Sequence, residues 1–240
     1  MRRKLKLLDC FRWTLFVAVL AAAGTVQAQL YWRLDSGYSK SLKADVKDSN
    51  LVLICGDPAC NTPGTLDKDV GSSTILSGGV GSRFSSNMRA DVTLGYRGGY
   101  KIDASDQGVP AARFRADVKS LALMVNGYHD FSLAASTPYL GAGLGFAHNK
   151  VGTVSFDDGA GFRGSVPGGT KSGFAWALMA GVGIPISGSL TLDIGYRFIE
   201  LGKIETATGD VIINGAVVPP PYPGATGKLK AHELTIGLRF

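Results

Sequence analysis

The stretch His232-Glu233-Leu234-Thr235-Ile236-Gly237-Leu238-Arg239-Phe240 ends the chain in strict alternation. Successive side chains of an extended strand point to opposite faces, so Leu234, Ile236, Leu238 and Phe240 share one face and Glu233, Thr235, Gly237 and Arg239 the other. Any half-buried strand alternates in this way; what decides the fold is how often the pattern recurs upstream. Leu30, Trp32, Leu34 and Tyr38 oppose Tyr31, Arg33, Asp35, Gly37 and Ser39. Leu76, Val80 and Phe84 oppose Ser77, Gly79, Gly81 and Arg83, and Met88, Ala90, Val92, Leu94, Tyr96 and Tyr100 oppose Arg89, Asp91, Thr93, Gly95 and Arg97. Further on, Leu140, Leu144 and Phe146 alternate with glycines, Phe174, Trp176, Leu178, Val182 and Ile184 with Gly and Ala, and Leu190, Leu192, Ile194, Tyr196 and Phe198 with Thr191, Asp193, Gly195 and Arg197. In the segment 117–130, Leu121, Leu123 and Val125 hold one parity and Val118, Met124 and Tyr128 the other, which leaves a strand of open register.

These segments make eight strands of about ten residues, the length that crosses a bilayer at a tilt. Their connections alternate in length. Residues 85–87, 131–138 and 185–189 are short links, whereas 40–72, 101–116, 149–172 and 201–228 are long. A soluble β-sandwich has no reason to sort its loops by parity, but a membrane barrel has short turns on one side and long loops on the other. The expected fold is therefore all-β: an eight-stranded antiparallel transmembrane up-and-down β-barrel over residues 29–240.

The N-terminus fits an exported chain. Arg2, Arg3, Lys4, Lys6 and Arg12 precede an apolar run from Trp13 to Ala23 and the small-residue stretch Gly24-Thr25-Val26-Gln27-Ala28. This is the order of a signal peptide, with cleavage expected after Ala28; the run is too short for a membrane helix, which needs about 20 apolar residues. Of 25 basic and 19 acidic residues, five and one fall in residues 1–28, leaving 20 against 18. That balance carries no nucleic-acid footprint. Cys55 and Cys60, in Cys-Gly-Asp-Pro-Ala-Cys, form an even pair around a turn and read as a loop disulfide in an oxidising compartment.

The polar stripe sets the interior. Arg33, Asp35, Arg83, Arg89, Asp91, Arg97, Asp193, Arg197, Glu233 and Arg239 alternate with the apolar residues. In lipid the apolar face turns outward and every backbone group is paired in a closed sheet, so these charges fall in a lumen just wide enough for side chains. Six arginines meet four carboxylates, with Asp117 and Lys119 as further inward candidates. Trp32, Tyr38, Phe84, Tyr96, Tyr100, Tyr128, Tyr139, Trp176, Tyr196 and Phe240 are the pool for interfacial girdles.

Asp-Val-Thr-Leu-Gly-Tyr-Arg-Gly at 91–98, Asn-Gly-Tyr-His-Asp-Phe at 126–131, Thr-Pro-Tyr-Leu-Gly-Ala-Gly-Leu-Gly at 137–145, Leu-Asp-Ile-Gly-Tyr-Arg-Phe at 192–198 and the terminal strand resemble the opacity-type, OmpA-like small outer-membrane β-barrels of Gram-negative proteobacteria. The terminal Phe240 resembles the signal read by the barrel-assembly machinery. The resemblance implies an outer-membrane location with a periplasmic N-terminus, contact with outer-membrane lipid and lipopolysaccharide, and surface loops open to a host or environmental ligand. It brings no cofactor, metal or catalytic site.

The functional expectation is a structural, surface-exposed barrel with a charge-paired interior. The alternative is a small-solute pore with an anion preference set by the arginine surplus; adhesion through the loops and lipid-modifying catalysis follow. His129, His148 and His232 lie on three strands with no serine signature beside them, which argues against a nucleophilic site. Residues 159–169 and 209–227 read as flexible loops, Asp157-Asp158-Gly159 as a solvated turn rather than a calcium loop, and the glycines of 141–145 as strand glycines rather than a phosphate cradle.

Overall fold

The computed structural model describes residues 29–42, 71–105, 113–133, 135–161, 163–222 and 224–240. The expected signal peptide, Cys55, Cys60 and Pro223 lie outside the described residues. The strands in chain order are β1 (Gln29–Ser41), β2 (Ser72–Arg83), β3 (Met88–Ser105), β4 (Arg113–Asp130), β5 (Thr137–Val151), β6 (Val154–Asp157), β7 (Arg163–Val166), β8 (Thr170–Pro185), β9 (Thr191–Glu205), β10 (Gly209–Ile213), β11 (Ala216–Tyr222) and β12 (Thr226–Arg239).

Eight of them close into an antiparallel barrel. The order β4-β3-β2-β1-β12-β9-β8-β5 returns to β4 through the β4–β5 pairing. First and last strands meet with Leu34 opposite Leu238 and Asp35 opposite Gly237, and Phe240 exchanges two backbone hydrogen bonds with Trp32, at 2.7 and 3.0 Å. Short connections gather at the end that holds Gln29 and Phe240, here the short-turn end; long ones gather at the opposite, long-loop end.

The apolar face points outward, as the alternation requires in lipid. Leu30, Trp32, Phe146 and Leu234 are 75, 61, 68 and 62% exposed, while their strand neighbours are turned inward. Inside, small residues face large ones: the positions of Gly81 and Gly141 are filled by the rings of Tyr31 and Tyr128, which a Cβ at either glycine would meet.

Four expectations need correction. First, β4 alternates without a break, with Val118, Met124 and Tyr128 inside and Leu121, Leu123 and Val125 outside. Asp117 and Lys119 share the outward parity and do not enter the lumen. Both parities looked apolar because the lumen is itself apolar at the long-loop end, where Val118, Met124, Ala147, Ile199, Leu201 and Leu229 form one buried cluster. Second, Tyr100 is fully buried inside. A register shift between Gly98 and Tyr100, with Gly99 at φ +112°, inserts one residue and reverses the parity beyond it. Third, Tyr128 and Tyr139 also face inward and stack edge to face, so they belong to the interior rather than a girdle.

Fourth, the stretches expected as flexible loops carry strands. Hairpin β6–β7 docks on the end of β4, with Arg113 opposite Asp157, and β7 pairs with β10, with Ile212 opposite Ser165. The wall thus continues past the barrel as a side sheet in the order β4-β6-β7-β10-β11. Phe156, Val166 and Val211 are buried on one face of it against Phe114, Val154 and Ile213. That apolar face gives the hairpins a reason to fold that their glycine content concealed.

Candidate functional site

The polar half of the lumen, toward the short-turn end, is a set of arginine–carboxylate clusters that join several of the wall strands. In the first, Arg33 on β1 holds Asp35 through two hydrogen bonds, Nε at 2.9 Å and Nη2 at 2.8 Å, and donates from Nη1 to Asp91 at 2.8 Å. Asp91 also accepts from Asn126 at 2.7 Å and from the hydroxyls of Tyr31 and Tyr128. Ser77 donates to Asp35 at 3.1 Å.

Nearer the middle of the barrel, Glu233 on β12 is fully buried and receives Nε of Arg97 and Nε of Arg197, each at 2.6 Å. Ser39 adds a donor at 2.9 Å, and its own oxygen contacts the Tyr100 hydroxyl. At the short-turn end, Arg239 reaches Asp193 at 3.3 Å, and Arg89 reaches Asp130 at 3.0 Å. The Arg89 guanidinium lies over the rings of Tyr128 and Tyr139, with centroids at 3.9 and 4.7 Å, an arrangement in which the ring faces offset part of the cost of desolvating the charge.

Nine of the ten sequence-nominated charges have side chains turned into the lumen, and Arg83, 36% exposed, stands at its short-turn mouth. One member was not nominated: Asp130, which is buried and also accepts from Arg83 at 3.4 Å. It stands at the end of the strand whose register was open; the inward parity of Tyr128 is the signal that locates it. With Asp130 the interior has six arginines against five carboxylates, halving the surplus expected from sequence. Asn126, Tyr31, Tyr128 and Tyr100 complete the hydrogen bonding and were not foreseen.

The lumen has little room left. Around Arg33, Asp35, Thr93, Tyr128, Tyr139 and Arg197 the free space is about 20 Å³, enough for about one water molecule. Buried polar atoms without a protein partner, among them Nη1 and Nη2 of Arg89, Nη1 of Arg239 and Oδ1 of Asp193, mark where water molecules would sit. Toward the long-loop end the apolar cluster takes over. A second open space, about 280 Å³, lies at the short-turn mouth beside Tyr31, Arg83, Thr191 and Arg239.

The histidines all face outward. His148 Nδ1 lies 2.8 Å from Ser172 Oγ, and His232 Nδ1 lies 2.5 Å from the Tyr196 hydroxyl. His129 packs on Phe131. None has a carboxylate hydrogen-bonded to its second nitrogen, so no catalytic triad forms among the described residues. Asp157 and Asp158 each accept a backbone N–H two residues on, which makes a pair of local turns. The described residues contain no cluster of three or more metal-ligating side chains. On the outer side of the side sheet, Arg113, Arg115 and Arg163 line an open cleft of about 340 Å³ with Ser155, Asp157 and Asn214.

Comparison with known proteins follows this geometry. Residues 13–240 match the outer membrane protein beta-barrel domain. A putative adhesin of Rickettsia bellii is 28% identical over 245 residues, covering 99% of each chain. Outer membrane protein PagN of Salmonella typhimurium is 34% identical over 88 residues, 36% of this chain and 36% of PagN. Among solved structures, the chain resembles Neisserial surface protein A with a TM-score of 0.50 at 17% identity, covering 88% of this chain and 97% of the other. It resembles OprG of Pseudomonas aeruginosa with a TM-score of 0.51 at 15% identity, covering 90 and 98%. Both structures share the fold. With the closed barrel, the outward apolar face and a match across nearly its whole length, the chain belongs to the outer membrane protein β-barrel domain family.

Proposed function

We propose that this protein is a non-conducting surface barrel of a Gram-negative outer membrane, with its N-terminus periplasmic and its long-loop end displayed outside the cell. The observation that carries the reading is the filled lumen. Ion-paired arginines occupy one half, the buried cluster of Ile199, Leu201 and Leu229 occupies the other, and the pocket beside Arg33, Tyr128 and Arg197 leaves about 20 Å³. A hydrated ion needs a continuous polar path, and the apolar half offers it no ligands. Planar-bilayer recording on the refolded mature chain tests this: the expected trace is silent while a gel-mobility assay reports folded protein. Discrete steps with a chloride-selective reversal potential would establish the anion pore instead.

A folded side sheet favours a second role, partner binding at the long-loop end. Loops on a rigid scaffold commonly carry recognition, and here the hairpins have their own buried apolar cluster and an arginine-lined cleft. The Rickettsia bellii relative bears the name putative adhesin. Cells displaying the chain should bind host-cell surfaces less when Arg113, Arg115 and Arg163 are changed together to Ser. Unchanged attachment would remove the cleft from the reading.

A further inference from the structure

Charge compensation is uneven along the lumen. Arg33 has two carboxylates, Asp35 and Asp91. At the short-turn end three guanidinium groups, those of Arg83, Arg89 and Arg239, share two carboxylate side chains, Asp130 and Asp193. Arg83 and Arg89 are direct register partners on β2 and β3. Like charges so placed repel, and Asp130 serves both of them.

Two of the three guanidinium groups are engaged on one side only. Arg89 donates from Nε to Asp130, and Arg239 meets Asp193 through Nε. Their side chains are 0 and 6% exposed. Yet Nη1 and Nη2 of Arg89 and Nη1 of Arg239 have no protein partner among the described residues. Against these three open donors at this end stands one open carboxylate oxygen, Oδ1 of Asp193. Water satisfies hydrogen bonds there, but an anion also cancels charge, and a buried charge left uncompensated is costly.

The short-turn mouth has room for one. Its space of about 280 Å³ compares with roughly 30 Å³ for a water molecule in the liquid. Arg83 lines it from β2 and Arg239 from β12, the two strands that flank β1. From β1 come Gln29 and the ring of Tyr31, which lies 5.6 Å from the Arg239 guanidinium and turns its hydroxyl away to Asp91. Thr191, the register partner of Arg239, and Ser189 add hydroxyls. No carboxylate side chain lines the space among the described residues, and the Phe240 carbonyl oxygen at its rim is held by the Trp32 N–H at 2.7 Å. Guanidinium forks match phosphate and carboxylate alike. Donors that reach the space from β2, β1, β12 and the β8–β9 link surround it instead of sharing one plane, which suits a tetrahedral oxyanion.

We propose that the short-turn mouth is a binding site for the phosphate group of a small soluble molecule. Arg83 and Arg239 hold its oxygens, and Thr191, Ser189 and Gln29 complete its hydrogen bonds. The site does not depend on whether the barrel conducts. A leaflet headgroup carries the same phosphate chemistry, with Leu30 and Phe240 at the outward rim for its chains.

The test is calorimetric titration of inorganic phosphate into the mature chain refolded in octyl glucoside, a detergent without charge or phosphate, at ionic strength fixed with sodium chloride. Gel mobility confirms folding of each variant. Arg83→Gln should weaken binding at least about ten-fold, as expected when a charged hydrogen bond is lost. Thr191→Val, which keeps the shape and removes a hydroxyl, should weaken it by a smaller factor. Equal binding by Arg83→Gln and the unaltered protein overturns the site, as does the absence of saturable binding at millimolar phosphate. Loss of binding in Arg163→Gln with binding kept in Arg83→Gln would move the phosphate to the side-sheet cleft and likewise overturn the mouth. Competition separates the sources. Glycerol 3-phosphate should displace phosphate at least as well as dihexanoylphosphatidylglycerol does; the reverse order would overturn the soluble source and leave the phosphate site to a headgroup.

Discussion

Glu233→Gln is the sharpest probe of the interior. The substitution keeps the shape of the side chain and removes one charge at a site where the carboxylate is fully buried. Glu233 accepts from Arg97 Nε and Nη2 at 2.6 and 3.1 Å, from Arg197 Nε at 2.6 Å and from Ser39 Oγ at 2.9 Å. Arg97 is 1% exposed and has only a 3.5 Å contact to the Gly95 carbonyl besides; Arg197 is 12% exposed. Removing one member of a buried pair typically costs about 3–5 kcal/mol, because the partner is left as an uncompensated charge. Here two partners are left, and one glutamine NH₂ would face guanidinium donors. Arg197→Gln leaves the Arg97–Glu233 pair whole and loses one charged hydrogen bond, worth about 1.5–3 kcal/mol. Urea unfolding from lipid vesicles, followed by fluorescence of outward-facing Trp32, should rank the variants in that order. A Glu233→Gln loss under about 1 kcal/mol would refute Glu233 as the group that compensates both arginines, since only water reaching both of them could replace the carboxylate. The triple change Glu233→Leu, Arg97→Met and Arg197→Met should return near the original stability, because it removes the charges together.

Three further outcomes follow from other parts of the lumen. Asp130→Asn should destabilise by about 3 kcal/mol, since Arg89 loses the carboxylate that it pairs with, whereas Arg83→Ala, which removes a 36%-exposed partner at 3.4 Å, should cost under about 1 kcal/mol in the same assay. Ile199→Ala in the apolar half should lower stability by about 2–5 kcal/mol, and bilayer recordings should stay silent because the ion-paired half remains filled; a conducting Ile199→Ala barrel would show that the apolar cluster alone is the seal. Gly237→Val should prevent folding in detergent, since a Cβ there meets Asp35 Oδ1 and the Leu34 carbonyl at the closing strand pair, and a heat-shifted folded band from that variant would contradict the β1–β12 register.

The barrel was legible because lipid imposes one rule on every strand. Alternation located the eight wall strands, and the parity of the charges put them on the lumen side of those strands, with Arg83 at the mouth. The rule failed where the interior stops being polar. At 117–130 an apolar lumen stands behind an apolar exterior, so Val118 and Met124 were indistinguishable from Leu121 and Leu123, and Asp130 was lost with the register. Tyr100 was misplaced by one inserted residue at Gly99, a backbone event with no side-chain pattern. The hairpins β6–β7 and β10–β11 were hidden because β6, β7 and β10, of four or five residues, are too short to show a period and β11 carries a run of prolines, and Gly164 and Gly209 look like loop residues until Phe156 and Val211 are seen to be buried.

The two halves of the lumen solve different problems. A buried ion pair adds little net stability, because desolvation offsets most of its attraction, yet it is strict about register. Slipping β12 by one residue against β1 would turn Glu233 and Arg239 out to lipid and bring Leu234 and Leu238 inside. Some of the arginine pairs run between strands that are not neighbours, Arg97 of β3 to Glu233 of β12, Arg33 of β1 to Asp91 of β3 and Arg83 of β2 to Asp130 of β4, and these report the closure of the cylinder rather than one ladder. The apolar half has no such selectivity, since alanine, valine and leucine pack acceptably in several registers. It contributes close contact and excludes water. The polar half sits where the chain ends meet and the barrel must close in register; the apolar half sits next to the side sheet, where a water-filled lumen would otherwise open at the long-loop mouth.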